Sequence, residues 1–79
     1  MQPELTLYKF DACPFCARVA NFMQKNKLEV NQKDIWQDPS ARDELIQIGG
    51  RPTVPCLVID GQAMYESADI IQYMRDNLL

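Results

Sequence analysis

The 79-residue chain contains no histidine, and it has only three cysteines and three glycines. Without an imidazole group, the chain cannot form a Cys–His nucleophile of the protease type. A zinc site would also lack its usual nitrogen ligand. Three cysteines, an odd number, are not typical of the disulfide framework of a small secreted domain. These absences exclude several site classes and direct attention to the cysteines themselves.

Charge and hydropathy exclude further classes of partner. Eight basic and eleven acidic residues give a net charge of -3, which argues against nucleic acid and anionic membranes as partners. The longest uncharged apolar run, Val54 to Ile59, is too short to span a bilayer. The first four residues lack the basic region and apolar run of a secretion signal. We therefore expect a single cytoplasmic domain over residues 1–79, working as a monomer.

The segment Cys13-Pro14-Phe15-Cys16 separates an extended apolar run from an amphipathic helical run. Proline suits the first position of a helix, so Cys13 is predicted to cap the helix and Cys16 to lie in its first turn. Unpaired N–H groups and the helix dipole stabilise a thiolate at such a cap. A thiolate with a second thiol in reach can exchange disulfides. The motif therefore predicts a redox site, with Cys13 as the exposed attacking thiolate and Cys16 as the buried resolving thiol.

Charged residues close to the motif act in opposite directions. The carboxylate of Asp11 would oppose thiolate formation, whereas Lys9 and Arg18 could offset it. The sequence leaves that balance open.

The cysteines also allow other interpretations. If Cys13 and Cys16 formed half of a zinc site, two further ligands would be needed, and Cys56 is the only other thiol of the chain. We interpret Cys56, in an apolar run, as a small buried hydrophobic residue. The alternative is a third redox or glutathionylation site.

Hydrophobic periodicity predicts seven elements in the order β-α-β-α-β-β-α. The predicted strands cover residues 5–10, 28–35, 54–59 and 62–65; the predicted helices cover 14–26, 39 to the Gly49-Gly50 stop, and a last helix capped by Ser67. A strand–helix–strand unit implies parallel pairing, and Asp60-Gly61 indicates an antiparallel hairpin. The pattern predicts an α/β thioredoxin-like fold, with three helices on a four-stranded mixed sheet.

Three motifs together resemble a glutaredoxin over residues 5–78: Cys13-Pro14-Phe15-Cys16 after a strand, Thr53-Val54-Pro55, and the Asp60-Gly61 hairpin. The resemblance implies glutathione-dependent reduction of protein disulfides and of glutathione-mixed disulfides. It implies glutathione as co-substrate, and disulfide-containing or glutathionylated proteins as partners. By the same resemblance, Cys13 is the nucleophile, Pro55 is cis, and the Val54 backbone pairs with the cysteine of glutathione.

The chain departs from typical glutaredoxins before the last helix and before the cysteine motif. Glu66-Ser67 is similar to the Glu-Ser segment of glutathione transferase N-terminal domains, where a hydroxyl and a helix N-terminus can hold the γ-glutamyl carboxylate. Phe10 occupies the place where many glutaredoxins have a lysine for the glycyl carboxylate, so Arg42 or Arg51 would have to supply that charge. The glutathione-binding residues that this resemblance implies are Phe15, Arg42, Thr53, Val54, Pro55, Glu66 and Ser67.

Two other functions stay open. A thioredoxin-like disulfide reductase or electron donor would make little use of glutathione, and Glu66-Ser67 argues against it. A non-catalytic module that binds glutathione or an iron–sulfur cluster is disfavoured by Pro14, which cluster-binding members of the family usually lack.

Overall fold

Three helices pack on a four-stranded mixed sheet in a computed structural model that describes residues 4–79. Residues 1–3, on which the secretion-signal prediction largely rests, lie outside the described residues. The strands are β1 (Leu5–Lys9), β2 (Asn31–Asp34), β3 (Cys56–Ile59) and β4 (Gln62–Met64), and the helices are α1 (Pro14–Lys25), α2 (Pro39–Gly49) and α3 (Ser67–Asn77). The predicted order of elements is confirmed. None of the helices in the described range is long and apolar enough to cross a membrane.

Two strands begin later than the sequence predicts. After α1, Lys27 adopts a φ of 55°, and the Leu28 N–H still donates to the carbonyl of Met23 at 2.8 Å. Residues 28–30 are therefore a connection, and pairing with β1 starts only at Asn31. Strand β3 begins at Cys56 because Pro55 has no N–H group to give to a strand ladder.

The strand order β2-β1-β3-β4 brings the two halves of the chain together at β1. β1 runs parallel to β2 and antiparallel to β3, and Tyr8 is paired with Cys56. The β3–β4 hairpin turns at Asp60-Gly61, where both residues have positive φ, 48° and 85°. That conformation matches the tight hairpin turn that the Asp-Gly pair predicts. The end of β1 therefore lies beside the segment that precedes β3.

Alternation along the strands divides the core between the two faces of the sheet. One face packs on α1 and α3 through Leu7, Val19, Met23, Leu57, Ile70 and Met74. The other packs on α2 through Tyr8, Ile35, Ala41, Leu45, Cys56 and Val58. Odd-numbered residues of β1 thus face α1, and even-numbered residues face α2.

Local chemistry sets two of the three helix starts as predicted. Cys13 and Asp38 are the N-caps of α1 and α2, and each is followed by proline. The third start differs: Glu66 is the cap of α3, and Ser67 is the first helical residue. The prediction that Ser67 caps α3 is wrong by one position, because the Ile70 N–H donates to the carbonyl of Glu66 at 2.9 Å.

Gly49 at the end of α2 offers a test of packing against β4. A Cβ atom there would collide with the hydroxyl and ring of Tyr65. Glycine-to-alanine changes in helices normally stabilise by up to about 1 kcal/mol. We expect Gly49→Ala instead to lower the free energy of unfolding by about 1–3 kcal/mol, since the tyrosine must move. Urea unfolding measures this. In a Tyr65→Ala background the loss should disappear, and its persistence there would contradict the packing argument.

Candidate active site

Cys13 caps α1 and meets the segment before β3. Its sulfur accepts a hydrogen bond from the Cys16 N–H at 3.2 Å, and its thiol donates to the Val54 carbonyl with an S···O distance of 3.9 Å. A bond from a helix N–H favours the thiolate. The predicted cap position is confirmed. The expectation of an exposed Cys13 is wrong, because the Val54 segment covers the sulfur and leaves the residue 6% exposed.

Cys16 is as buried as Cys13, with 5% of its surface exposed. Burial and a hydrogen bond with Cys13 raise the pKa of the Cys16 thiol to about 12. A backbone hydrogen bond from Phe10 and, to a smaller extent, the positive charge of Lys9 lower the pKa of Cys16. Cys16 therefore stays protonated at neutral pH, which fits a resolving thiol rather than an attacking one.

A cleft of about 350 Å³ lies beside Cys13. Its lining includes most of the residues that the glutaredoxin resemblance implies: Phe15, Thr53, Val54, Pro55, Glu66 and Ser67. Cys13 adjoins this cleft at the Val54 carbonyl. The Val54–Pro55 peptide bond is cis, as the resemblance implies. The fold thus brings the start of α1, the segment before β3 and the start of α3 to one place.

Arg42 is the predicted site residue that this arrangement does not bring to the cleft. It lies exposed on α2, whereas the arginines that line the cleft are Arg18 and Arg51. The reason is the loop after α2. Gly50 turns the chain with a φ of 88° and carries Arg51 toward α3.

Tyr65 holds Arg51 beside the cleft. Its hydroxyl donates to the Arg51 carbonyl at 3.0 Å, and the Arg51 guanidinium lies 4.3 Å from the centre of the Tyr65 ring. Such cation–π contacts orient a guanidinium group over a ring face. The loop that carries Arg51 is therefore tied to the residue that immediately precedes Glu66.

Sequence reasoning did not assign Arg18 or Tyr65 to the cleft. The signal for Arg18 was available, since residues three apart on a helix share a face and Phe15 was already placed there. For Tyr65 no local pattern exists, because its contacts are with the end of α2 and the loop after it.

Comparison with known proteins agrees with this geometry. A family model described as the N-terminal domain of glutathione S-transferase matches residues 7–77. Glutaredoxin 3 of Escherichia coli K12 is 30% identical over 56 residues, which cover 71% of this chain and 68% of that protein. The chain belongs to the glutaredoxin and glutathione S-transferase N-terminal-domain group of the thioredoxin-like superfamily.

Solved structures share the fold of this chain. A trimeric glutathione transferase from Leishmania superposes with a TM-score of 0.76 at 30% identity, over 94% of this chain and 17% of that one. A buckwheat glutaredoxin–glutathione complex superposes with a TM-score of 0.71 at 21% identity, over 94% of this chain and 70% of that one. The predicted thioredoxin-like fold is confirmed.

An aromatic stack occupies the place where many glutaredoxins carry a lysine. The ring of Phe10 lies parallel to that of Trp36, with centroids 3.9 Å apart and an interplanar angle of 6°. Trp36 is 64% exposed. Phe10 follows the last residue of β1 and packs on the α2 side of the sheet, so an aromatic ring lies at this position instead of a lysine.

The third cysteine lies away from the cleft. Cys56 is fully buried between β1 and α2, and burial raises the pKa of its thiol to about 11. Its position agrees with the interpretation as a core residue. Within residues 4–79, no three His, Cys, Asp or Glu side chains gather in a group suited to a metal ion.

The three thiols of this chain should react with iodoacetamide at different rates. At pH 7.5 we expect iodoacetamide to label Cys13 first, because burial keeps Cys16 and Cys56 protonated up to about pH 11 or above. Mass spectrometry of the native protein should show one fast modification, and Cys13→Ser should abolish it. A fast modification that survives in Cys13→Ser would contradict this assignment.

Proposed function

We propose that this glutaredoxin-type thiol oxidoreductase reduces glutathione-mixed disulfides and protein disulfides, with Cys13 as nucleophile and glutathione as co-substrate. The contacts of the Cys13 sulfur carry the proposal. This sulfur accepts the Cys16 N–H and touches Val54, on the border of a cleft lined by Glu66 and Ser67. We propose the cytoplasm as the compartment, since a reducing glutathione pool there would drive this chemistry.

The reaction proceeds by two thiol–disulfide exchanges. In the first, the Cys13 thiolate attacks the glutathione sulfur of a mixed disulfide. A bond forms between Cys13 and glutathione, and the protein thiolate leaves and takes a proton from water. In the second, the thiolate of another glutathione attacks the bound glutathione sulfur, which releases glutathione disulfide and restores the Cys13 thiolate.

The lining of the cleft supports the binding of glutathione in an extended conformation. The Val54 backbone would pair with the cysteine residue of glutathione as an added strand does, which places the glutathione sulfur next to Cys13. The γ-glutamyl carboxylate would lie at the N-terminus of α3 with Ser67, and Glu66 would meet the ammonium group. Arg18 and Arg51 give the cleft positive charge for an anionic tripeptide.

The assay that tests the proposal is glutathione-dependent reduction of a small glutathione-mixed disulfide. Cys13→Ser should lower the turnover by at least about 10³-fold, because the nucleophile is lost. Cys16→Ser should keep most of this activity, since glutathione resolves the intermediate. If the wild-type protein shows no glutathione-dependent turnover while its two active-site cysteines still cycle with a dithiol, a thioredoxin-like reductase would replace the proposal.

Matched substitutions of Arg42 and Arg51 can show which of the two contacts the glycyl carboxylate of glutathione. Arg51→Gln, which keeps an alkyl stem on the Tyr65 ring, should raise the KM for the glutathione-mixed disulfide roughly tenfold, the effect of losing one charge-assisted contact. The kcat should change little, because the contact is remote from the sulfur. Arg42→Gln removes the same charge from exposed α2 and should leave KM within about twofold. A larger rise in KM for Arg42→Gln than for Arg51→Gln would instead assign the contact with the glycyl carboxylate to Arg42.

A further inference from the structure

The side of Cys16 away from the glutathione cleft borders a second cavity. This cavity has a volume of about 190 Å³, and Cys16 shares its lining with Lys9 and Asp11. None of these three residues lines the cleft beside Cys13. The two active-site thiols therefore border different spaces: the cleft lies beside Cys13, and the second cavity lies beside Cys16.

Strand alternation explains why Lys9 reaches this cavity. Successive residues of β1 point to opposite faces of the sheet, and Leu7 packs against the α1 face. Lys9 follows Leu7 by two positions, and both residues line the cavity. Phe10, one position further, packs against the core on the α2 side and also borders the cavity. The lysine thus lies under the first turn of α1, where Cys16 is.

Ion pairs fix the ammonium group of Lys9. Its Nζ lies 2.7 Å from Asp11 Oδ1 and 3.7 Å from Asp34 Oδ2, and its side chain is 23% exposed. Asp11 is 74% exposed on the solvent side. Within the described residues, the titratable groups around Cys16 are Lys9 on β1, Asp11 on the loop and Cys13 at the cap, and Asp34 on β2 acts through Lys9.

Cys16 has to lose its proton before it can attack a disulfide. Burial opposes this, whereas the charge of Lys9 lowers the pKa of Cys16 and the thiolate of Cys16 would raise the pKa of Lys9. A fixed cation next to a partly buried thiolate stabilises it more than a cation in bulk water would. The position of Lys9 and its charge therefore both favour the Cys16 thiolate, whereas the carboxylate of Asp11, which lines the same cavity, opposes it.

We propose that Lys9 is a positioning residue for the Cys16 step: its ammonium group stabilises the Cys16 thiolate, and the shared cavity gives the departing proton a route to solvent. The proposal rests on the proposed function only in taking Cys13 as the nucleophile. It does not depend on glutathione as the co-substrate.

The step in question completes the reduction of a disulfide RS–SR′. The Cys13 thiolate first forms a mixed disulfide with RS and releases R′S⁻. Cys16 then gives its proton to water, and its thiolate attacks the Cys13 sulfur. The Cys13–Cys16 disulfide forms, the Cys13–SR bond breaks, and RS⁻ leaves. The substrate disulfide gains two electrons, and the cysteine pair loses two.

Stopped-flow reaction with the chromogenic disulfide dithiobisnitrobenzoate separates the two steps. Attack by Cys13 releases one thionitrobenzoate, and attack by Cys16 releases the second. We expect Lys9→Gln to slow the second phase roughly tenfold at each pH between 6.5 and 9, because Cys16 stays mostly protonated there and the rate follows its thiolate fraction. The first phase should stay within about twofold. Lys9→Arg should restore the second phase.

Matched controls isolate the effect. Lys33 on β2 is a suitable control, because its ion pair with Glu44 is also 2.7 Å long. Lys33→Gln should leave both phases unchanged. Cys16→Ser should lack the second phase. Any slow release of thionitrobenzoate that remains in Cys13→Ser measures the reaction of the other thiols, including Cys56. Asp11→Asn, at an exposed position, should accelerate the second phase because the ammonium group loses its closest anion.

The proposal is overturned if Lys9→Gln leaves the rate of the second phase unchanged between pH 6.5 and 9, if it slows both phases equally, if Lys9→Arg fails to restore the second phase, or if Asp11→Asn retards it. Failure of the glutathione assay alone would leave these phases measurable. The two proposals can therefore fail separately.

Discussion

The contact between Cys13 and Val54 joins two segments that lie 41 residues apart in the chain, and the site depends on it. The β1–β3 pairing makes the contact possible. Tyr8 lies opposite Cys56, so the connection from β1 to α1 leaves the sheet beside the segment that enters β3. A slip of β3 by one residue in this register would move its side chains to the opposite faces of the sheet. The same pairing that builds the core therefore brings the Cys13 sulfur to the border of the cleft.

Local chemistry explains which features the sequence could predict. The Cys13-Pro14 and Asp38-Pro39 helix starts and the Asp60-Gly61 turn each follow from side-chain and backbone preferences of adjacent residues. These signals, with hydrophobic periodicity, were enough for the order of elements and the fold. They were also enough to place both cysteines at the start of α1.

Long-range packing explains what the sequence could not predict. The burial of Cys13 depends on Val54, and the choice of Arg51 over Arg42 as a cleft residue depends on the turn at Gly50 and on the ring of Tyr65. Neither dependence has a periodic or local signature. The cis state of Pro55 was predictable only from the resemblance to glutaredoxins, since few X–Pro bonds in folded proteins are cis.

A shift of one residue at the end of β1 changes where a lysine charge lies relative to the cysteine motif. Many glutaredoxins place the lysine where this chain has Phe10, which packs toward α2 and stacks on Trp36. Lys9 has the opposite orientation, on the α1 face, because strand side chains alternate. The charge therefore moves from the Cys13 side to the Cys16 side of the motif, where Asp11 and Asp34 hold it in place. The arginines that line the cleft beside Cys13 are Arg18 on α1 and Arg51 on the loop before Thr53. The aromatic stack and the ion-paired lysine thus follow from two adjacent residues at the end of β1.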